Sequence, residues 1–257
     1  MEKIIRSLRM KVSIITVCYN SEATLEDTIR SVIEQDYPDI EYIVIDGSST
    51  DKTLSILEKY KSKISKLVSE KDEGMYFAIN KGIALATGEI VGILNSDDFF
   101  ANGRIISRVV KEFETKKIVS AYGDLQYVSR ENTQKIIRHW RSNMFKPELF
   151  LKGWMPPHPS FFVKRKCYEQ FGTFNTSFTI SSDYELMLRF LYKHKITTSY
   201  IPEVIVKMRT GGISNITFMS RVTANREDRR AWKINGLKPG RLTFVAKPLS
   251  KLKQFFK

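Results

Sequence analysis

The first hundred residues alternate between two kinds of hydrophobic pattern. The stretches "VSIITVCY" and "IEYIVIDG" are continuous apolar runs rich in β-branched residues, which is typical of strands buried on both faces. Between them, "SEATLEDTIRSVIEQDYP" spaces Leu25, Ile29 and Val32 as one stripe of a helix. The pattern therefore predicts a strand, a helix and a second strand in succession.

The alternation continues to residue 95. "STDKTLSILEKYKS" predicts a helix, "ISKLVSE" a short strand, "GMYFAINKGIALATG" a helix that ends at Gly88, and "EIVGILN" a further strand. Repeated units of this kind form a mainly parallel sheet with helices on both faces. Ligands of such sheets lie beyond the carboxyl ends of the strands, so we expect the polar residues that follow each strand to converge there.

Beyond residue 100 the pattern is less regular. It predicts a helix over 103–114, a strand over 118–123, and a hairpin in "YVSRENTQKIIRHWRSNMF". After the turn-rich "KGWMPPHPS", "FFVKR" predicts a strand and "SSDYELMLRFLYKHK" a helix. The second half of the chain therefore differs in organisation from the first.

Composition and charge narrow the class of protein. The chain has 257 residues, of which 42% are hydrophobic, and this is enough for a sizeable core. Its net charge of +14 favours an acidic partner, such as nucleic acid, anionic lipid or a phosphorylated substrate. The two cysteines are far apart, which argues against a disulfide framework and fits the cytosol. No apolar stretch reaches the roughly 20 residues of a membrane span.

The stretch "LNSDDFF" places two carboxylates, Asp97 and Asp98, directly after an apolar strand. Adjacent carboxylates repel each other unless a cation or hydrogen-bond donors offset the repulsion. Oxygen ligands of this kind suit Mg²⁺ or Mn²⁺. The residues alone leave two interpretations open: the pair binds a divalent ion, or it ends the strand and caps the following helix.

Four blocks of the chain resemble a known enzyme family. They are "VSIITVCYNSEATLEDTIRSVIEQDYPDIEYIVIDGSSTDKT", "SEKDEGMYFAINKGIALATGEIVGILNSDD", "HPSFFVKR" and "FTISSDYELMLRF", and they span residues 11 to about 205. The sequence is similar to the inverting, nucleotide-diphospho-sugar-dependent glycosyltransferases of family 2. This resemblance implies the GT-A fold, a Rossmann-like α/β fold with a mainly parallel sheet flanked by helices.

The resemblance also implies a donor site. "NSDD" stands at the family's DxD-type motif, so Asp98 would bind the Mn²⁺ or Mg²⁺ ion that bridges the donor's phosphates, with Asp97 near the ribose. Tyr19 would stack on or flank the base, and Asp46 would accept a hydrogen bond from the base imide. The nucleotide-sugar-binding positions implied are Tyr19, Asn20, Asp46, Asp72 and Asp97.

On the acceptor side, the resemblance makes Asp183 of "SSDYELMLR" the catalytic base, with Glu185 as the second candidate. Two helical positions differ by about 200 degrees, so only one of these carboxylates can face a given hydroxyl. His158, between two prolines, resembles an acceptor-side residue of the family. Trp154 is either a stacking platform for an acceptor sugar or a core residue.

These observations predict a metal-dependent enzyme that moves a sugar from a nucleoside-diphosphate sugar, with UDP as the expected nucleotide, to a glycan or polyprenyl-linked acceptor in surface polysaccharide synthesis. The expected domains are an N-terminal extension (1–10), a catalytic domain (11–205, divided at residue 100) and a basic tail (206–257). The tail favours a cytoplasmic protein at the inner face of the cell membrane, or is simply flexible. A nucleic-acid-binding protein that uses this tail is the alternative hypothesis.

Overall fold

The computed structural model describes residues 9–211, 218–240 and 243–244 of the chain. The strands are β1 Val12–Cys18, β2 Ile40–Asp46, β3 Lys66–Ser69, β4 Ile90–Ile93, β5 Asp98–Phe100, β6 Ser120–Val128, β7 Ile136–Trp140, β8 Phe162–Lys164 and β9 Thr198–Arg209. The α-helices are α1 Leu25–Ile33, α2 Thr53–Lys59, α3 Met75–Leu85, α4 Ile105–Thr115, α5 Glu148–Leu151, α6 Arg165–Phe171, α7 Ser182–Met187 and α8 Phe218–Ile234. Most of the expected N-terminal extension, and most of the basic tail beyond residue 240, lie outside the described residues.

The strands form one sheet in the order β3-β2-β1-β4-β8-β6-β9-β5, and β7 pairs with β6 as a hairpin. Strands β1 to β4 are parallel to one another, and β6 is parallel to β9. Strands β8 and β5 run antiparallel to their neighbours. The mainly parallel sheet predicted from the sequence is therefore confirmed, and so is the hairpin of the second half.

The two faces of the sheet are covered by different helices. Along β1, Ile14 contributes to a core shared with α1, α2 and α4, whereas Ile15 contributes to a core shared with α3 and α8. Successive strand residues point to opposite faces, so a continuous apolar strand needs a helical layer on each side. This double covering explains why β1 and β2 have no polar face.

Helix α3 lies unusually close to the sheet because of one glycine. A Cβ at Gly82 would lie only 2.4 Å from Cγ2 of Ile15, a separation that packed carbon atoms do not reach. The absence of a side chain at this position lets α3 pack directly on β1.

Strand β9 was not predicted from the sequence. Its twelve residues continue to Arg209, so the domain boundary expected at 205 falls inside a strand of the sheet. Pro202 interrupts the strand pattern, and the pairing of β9 with β6 shifts register between Ile201 and Val204. A bulge accommodates the proline here, because proline cannot donate a ladder hydrogen bond.

The helix predicted for "SSDYELMLRFLYKHK" is divided. Helix α7 ends at Met187, and Leu188–Lys193 continues as a wider π-helix. Within it, the Arg189 guanidinium donates hydrogen bonds to backbone carbonyls of residues 171–173. No helix among the described residues is long and apolar enough to cross a membrane.

Candidate active site

The loops at the carboxyl ends of β1, β2, β3 and β4 meet, as the strand order requires. Ser21 Oγ lies 2.9 Å from Ser96 Oγ, which joins the loop after β1 to the loop after β4. Asn20 Oδ1 accepts a hydrogen bond of 2.9 Å from the Thr50 amide, which joins the loops after β1 and β2. Asn20 itself has a left-handed φ of +48°, a conformation that asparagine tolerates better than most residues.

Tyr19 stands at the surface of this cleft. Its side chain is 63% exposed, which is unusual for a large aromatic residue next to a buried strand. Gly47 lies beside it, because a Cβ at Gly47 would approach Tyr19 Cδ2 to 3.4 Å. An exposed ring next to a residue without a side chain leaves room for a flat ligand to stack.

Asp46 is the last residue of β2 and lies beneath the loop that carries Gly47. The carboxylate is completely buried and accepts hydrogen bonds from Ser49 N (3.1 Å), Ser49 Oγ (2.5 Å) and Ser69 Oγ (2.6 Å). Both oxygens are therefore engaged by the protein, and neither reaches the cleft surface. These hydrogen bonds order the loop that carries Gly47, and a contact between Asp46 and a base stays a prediction.

Asp97 and Asp98 occupy the loop after β4 and the first position of β5. Asp98 is completely buried, and its Oδ2 accepts a hydrogen bond of 3.3 Å from Asn95 Nδ2. Its Oδ1 is buried and has no hydrogen-bond partner among the described residues. Burial, and then the neighbouring Asp97 charge, raise the pKa of Asp98 well above its ordinary value, and burial raises the pKa of Asp97. Such a pair is stabilised by a cation.

The donor set suits a particular kind of cation. No group of three or more His, Cys, Asp or Glu side chains in the described part of the chain could hold a metal ion by itself. Mg²⁺ and similar hard cations are commonly held by one or two carboxylates together with substrate phosphates and water. The unpartnered oxygen of Asp98 and the adjacent Asp97 fit that pattern.

Arg209 holds the backbone next to the two aspartates, and the sequence did not indicate this role. It is the last residue of β9 and is only 3% exposed. Its Nη1 donates a hydrogen bond of 2.9 Å to the Asp97 carbonyl, its Nη2 pairs with Asp27, and its guanidinium lies 4.9 Å from the centroid of the Phe99 ring. A single arginine in "VKMRT" carries no local signal, because its partners are distant in sequence.

Asp72 lies in the loop after β3. Its Oδ1 accepts a hydrogen bond of 2.7 Å from Lys81 Nζ, which also pairs with Glu70. Its Oδ2 is buried and has no hydrogen-bond partner in the part of the molecule that the structure describes. Asp72 and Asp98 thus each keep one buried acceptor atom unused at the edge of the sheet where ligands of this architecture bind.

His158 and Asp183 come together on the other side of the cleft. His158 begins a short 3₁₀ turn between two prolines, and Asp183 is the second residue of α7. His158 Nδ1 lies 2.9 Å from Asp183 Oδ2, and the side chains are 39% and 18% exposed. The pair combines a proton-accepting carboxylate with an imidazole, and both remain open to solvent.

The other two residues expected on the acceptor side, Glu185 and Trp154, are less accessible or engaged in packing. Glu185 is 2% exposed and forms a two-pronged ion pair with Arg189, at 2.9 Å for each contact, so it faces away from the cleft. Trp154 is partly buried, with its ring edge against Tyr122 at 6.3 Å between centroids. Asp183, at 18% exposure, is therefore the more accessible of the two carboxylates, and Trp154 has a packing contact.

Tyr127 of β6 links the two sides. Burial raises its pKa, the Arg138 charge opposes this, and the negative charges of Asp98 and Asp183 both raise it further. Both carboxylates are therefore near enough to one tyrosine to affect its ionisation. The aspartate pair and the His158–Asp183 pair border the same region of the molecule.

The fold and these converging acidic loops define an α/β protein with a ligand cleft at the carboxyl edge of a mainly parallel sheet. Residues 13–180 match glycosyl transferase family 2, and the chain belongs to this family. An uncharacterized glycosyltransferase of Mycobacterium tuberculosis is 32% identical over 183 residues, which cover 69% of this chain and 68% of the relative. A PGL/p-HBAD biosynthesis glycosyltransferase of Mycobacterium bovis is 27% identical over 210 residues, which cover 79% and 78%.

Solved structures share the fold. TarS 1-349 of S. aureus in complex with UDP-GlcNAc has a TM-score of 0.69 at 17% identity, covering 88% of this chain and 65% of TarS. The mannosyltransferase PcManGT of Pyrobaculum calidifontis, in complex with GDP-Man and Mn²⁺, has a TM-score of 0.66 at 20% identity, covering 94% and 70%. The predicted GT-A fold is confirmed, and family membership supports the enzyme hypothesis over the nucleic-acid-binding one.

Proposed function

We propose that this family 2 glycosyltransferase moves a sugar from a nucleoside-diphosphate sugar, a UDP-sugar in the first instance, to a hydroxyl of a glycan or lipid-linked glycan, and that it inverts the anomeric centre. The observation that carries the proposal is the buried, unpartnered Oδ1 of Asp98 beside a second carboxylate. UDP-GlcNAc bound to TarS and GDP-Man with Mn²⁺ bound to PcManGT support a donor of this class.

On the donor side, Tyr19 offers its exposed ring to the base, next to Gly47. Asn20 joins the loops after β1 and β2 around that ring, and Asp46, which Ser49 and Ser69 hold in place, accepts a hydrogen bond from the base imide. Asp72 Oδ2 accepts a hydrogen bond from a hydroxyl of the donor, and Asp97, which is partly exposed, lies at the ribose and phosphate side.

Asp98, with Asp97 beside it, is the residue that would hold Mn²⁺ or Mg²⁺. When bound, such an ion supplies Lewis-acid stabilisation of the negative charge that develops on the departing nucleoside diphosphate. Arg209 holds the backbone of Asp97 by its hydrogen bond to the carbonyl, so the two carboxylates keep their relative placement.

On the acceptor side, Asp183 accepts the proton of the attacking hydroxyl. The hydroxyl oxygen forms a bond to the anomeric carbon on the face opposite the bond to the diphosphate oxygen, which breaks, so the configuration inverts. His158, 2.9 Å from Asp183, contacts the acceptor hydroxyl or a neighbouring group and keeps the carboxylate oriented. The partly exposed face of Trp154 lies along the acceptor path.

The test is nucleotide binding by calorimetry with UDP, GDP and dTDP, each with and without Mn²⁺. We expect Mn²⁺-dependent binding of UDP to the wild type, and loss of that binding in Asp98→Ala and in the isosteric Asp98→Asn. Glu58→Gln is the matched control, because Glu58 is exposed and pairs, among the residues that the structure describes, with Lys61 alone. Equal binding to wild type and both Asp98 variants, or no nucleotide binding by folded protein, would contradict the proposal.

The domain division and the membrane association are further parts of the proposal. We assign residues 11–100 to donor binding, residues 101–209, to the end of β9, to acceptor binding, and the lysine-rich segment after residue 236 to anionic lipid at the inner face of the cell membrane. This segment lies mostly outside the described residues. Sedimentation with anionic vesicles at low salt is the measurement, and absence of the protein from the vesicle pellet would refute the membrane part.

A further inference from the structure

The helix α8 contacts the loop that leads into Asp183. The loop comprises residues 172–181. The Glu227 carboxylate accepts hydrogen bonds from three consecutive backbone amides, those of Thr179 (2.8 Å), Ile180 (2.9 Å) and Ser181 (2.8 Å). Hydrogen bonds to a charged acceptor are roughly twice as strong as neutral ones. Glu227 is almost completely buried, so water does not compete effectively for these amides.

Other side chains of α8, and that of Asn235 just after it, form hydrogen bonds with residues before and after Asp183. Arg230 Nη1 donates to the Ser177 carbonyl at 3.1 Å, Trp232 Nε1 donates to Tyr184 Oη at 2.8 Å, and Asn235 Nδ2 donates to Glu185 Oε1 at 2.9 Å. These contacts lie both before and after Asp183 in sequence. Helix α8 and the residue that follows it therefore hold the chain on both sides of Asp183.

The opposite side of the loop is held by α3. Tyr76 Oη donates a hydrogen bond of 2.6 Å to the Ile180 carbonyl, and the Asn80 side chain exchanges two hydrogen bonds with the Phe174 backbone, at 2.8 and 2.9 Å. The Ile180 residue thus has its carbonyl bonded to α3 and its amide bonded to α8. The loop has polar contacts from both helices and little freedom to shift.

We propose that Glu227 is a positioning residue for the transfer reaction: by binding three amides of the 172–181 loop, it sets the place of Asp183 relative to the donor. This inference rests on the role proposed above for Asp183. Residue 227 lies beyond the segment 13–180 that matches the family, so the family match assigns it no role. A misplacement of about 1 Å in such a group can lower a rate by about 100-fold.

The test compares two buried glutamates. Glu227→Gln keeps the side-chain shape but removes the charge and turns an N–H group toward the loop amides. Glu112→Gln is the control, because Glu112 is as well buried as Glu227, with 7% against 9% exposure, but bonds Ser199 at the start of β9. Transfer kcat, donor KM, nucleotide affinity, thermal midpoint and amide hydrogen exchange are measured for both.

We expect kcat of Glu227→Gln to fall about tenfold or more, with nucleotide affinity within about twofold of wild type. Exchange of the amides of residues 179–181 should accelerate in this variant and not in Glu112→Gln. Glu227→Asp, which keeps the charge on a shorter side chain, should recover part of kcat. If Glu227→Gln does not fold, Trp232→Phe, which keeps a smaller aromatic ring and removes the bond to Tyr184, should lower kcat in the same direction.

The results distinguish failure of the role proposed for Glu227 from failure of the role proposed for Asp183. Inactive Asp183→Asn together with full kcat in Glu227→Gln would overturn this inference alone. Loss of kcat that merely follows the thermal midpoint, to the same extent in Glu112→Gln, would also overturn it, because it would show a stabilising role only. Full transfer by Asp183→Asn would overturn the proposed base and this inference with it, whatever the exchange rates show.

Discussion

Glu41 is expected to make the fold sensitive to acid. It lies on β2, at the end of the sheet opposite the cleft, and its side chain is 4% exposed. The carboxylate accepts hydrogen bonds from Ser13 Oγ (2.6 Å) and Thr87 N (2.7 Å), and it pairs with Lys66 at 3.2 Å. The residue therefore joins β1, β2, β3 and the turn after α3 through one charge.

The free energy by which ionised Glu41 stabilises the fold follows from its pKa. Burial by itself would raise this pKa, but the hydrogen bonds from Ser13, Thr87 and Lys66 outweigh burial and lower it from 4.5 to about 2. That difference corresponds to about 3 kcal/mol of stability for the ionised group. Since the folded pKa is depressed, this stability is present above the unfolded pKa and is lost as the pH falls from about 4.5 toward 2. At pH 3 only about 1 kcal/mol remains.

The assay is urea unfolding of wild type and Glu41→Gln at a series of pH values from 7 to 3. We expect Glu41→Gln to be less stable than wild type by about 3 kcal/mol at pH 7, and the difference to shrink below pH 4.5. The comparison removes the contribution of other carboxylates, which titrate in both proteins. A difference that stays constant from pH 7 to pH 3 would refute the reasoning, because it would show that packing and not charge makes Glu41 stabilising.

Two substitutions on α7 should affect different properties: one should lower activity, and the other should lower stability. Asp183→Asn is expected to lower transfer kcat roughly 100- to 10,000-fold while nucleotide affinity stays near that of wild type, since only proton transfer is lost; full activity in steady-state assays would exclude Asp183 as the base. Glu185→Gln breaks the buried pair with Arg189 and should lower the free energy of unfolding by about 3–5 kcal/mol; a normal unfolding curve would show that the pair contributes little.

The first half of the chain was predictable because its signals are local. Strands β1 to β4 and helices α1 to α3 each follow from the hydrophobic period within one segment, and parallel order then brings their carboxyl ends together. The contact between Ser21 and Ser96 is the kind that this reasoning anticipates. Local periodicity therefore located the carboxyl edge of the sheet, where ligands of such sheets bind, without any information on long-range contacts.

The direction of a side chain was not predictable in the same way. Asp46 and Asp72 are both aspartates that follow a strand, yet Asp46 has both oxygens bonded by Ser49 and Ser69, whereas Asp72 keeps one oxygen unused. The difference depends on which serine hydroxyls approach from neighbouring loops. Residue type and spacing indicate that a carboxylate stands at the cleft, but only the packed loops decide whether it points into the cleft or into the protein.

Other parts of the candidate site depend on contacts between residues far apart in sequence. Arg209 reaches Asp97 from the end of β9, and Glu227 reaches the loop before Asp183 from α8. Neither residue has a periodic or motif-like context, so a division of the chain at residue 205 placed both in a basic tail. Because the charges of these two residues are satisfied inside the protein, part of the C-terminal sequence serves the site and not the surface. The net charge by itself therefore overstates the basic surface. An acidic partner would contact the other Lys and Arg side chains, those that form no bond within the fold.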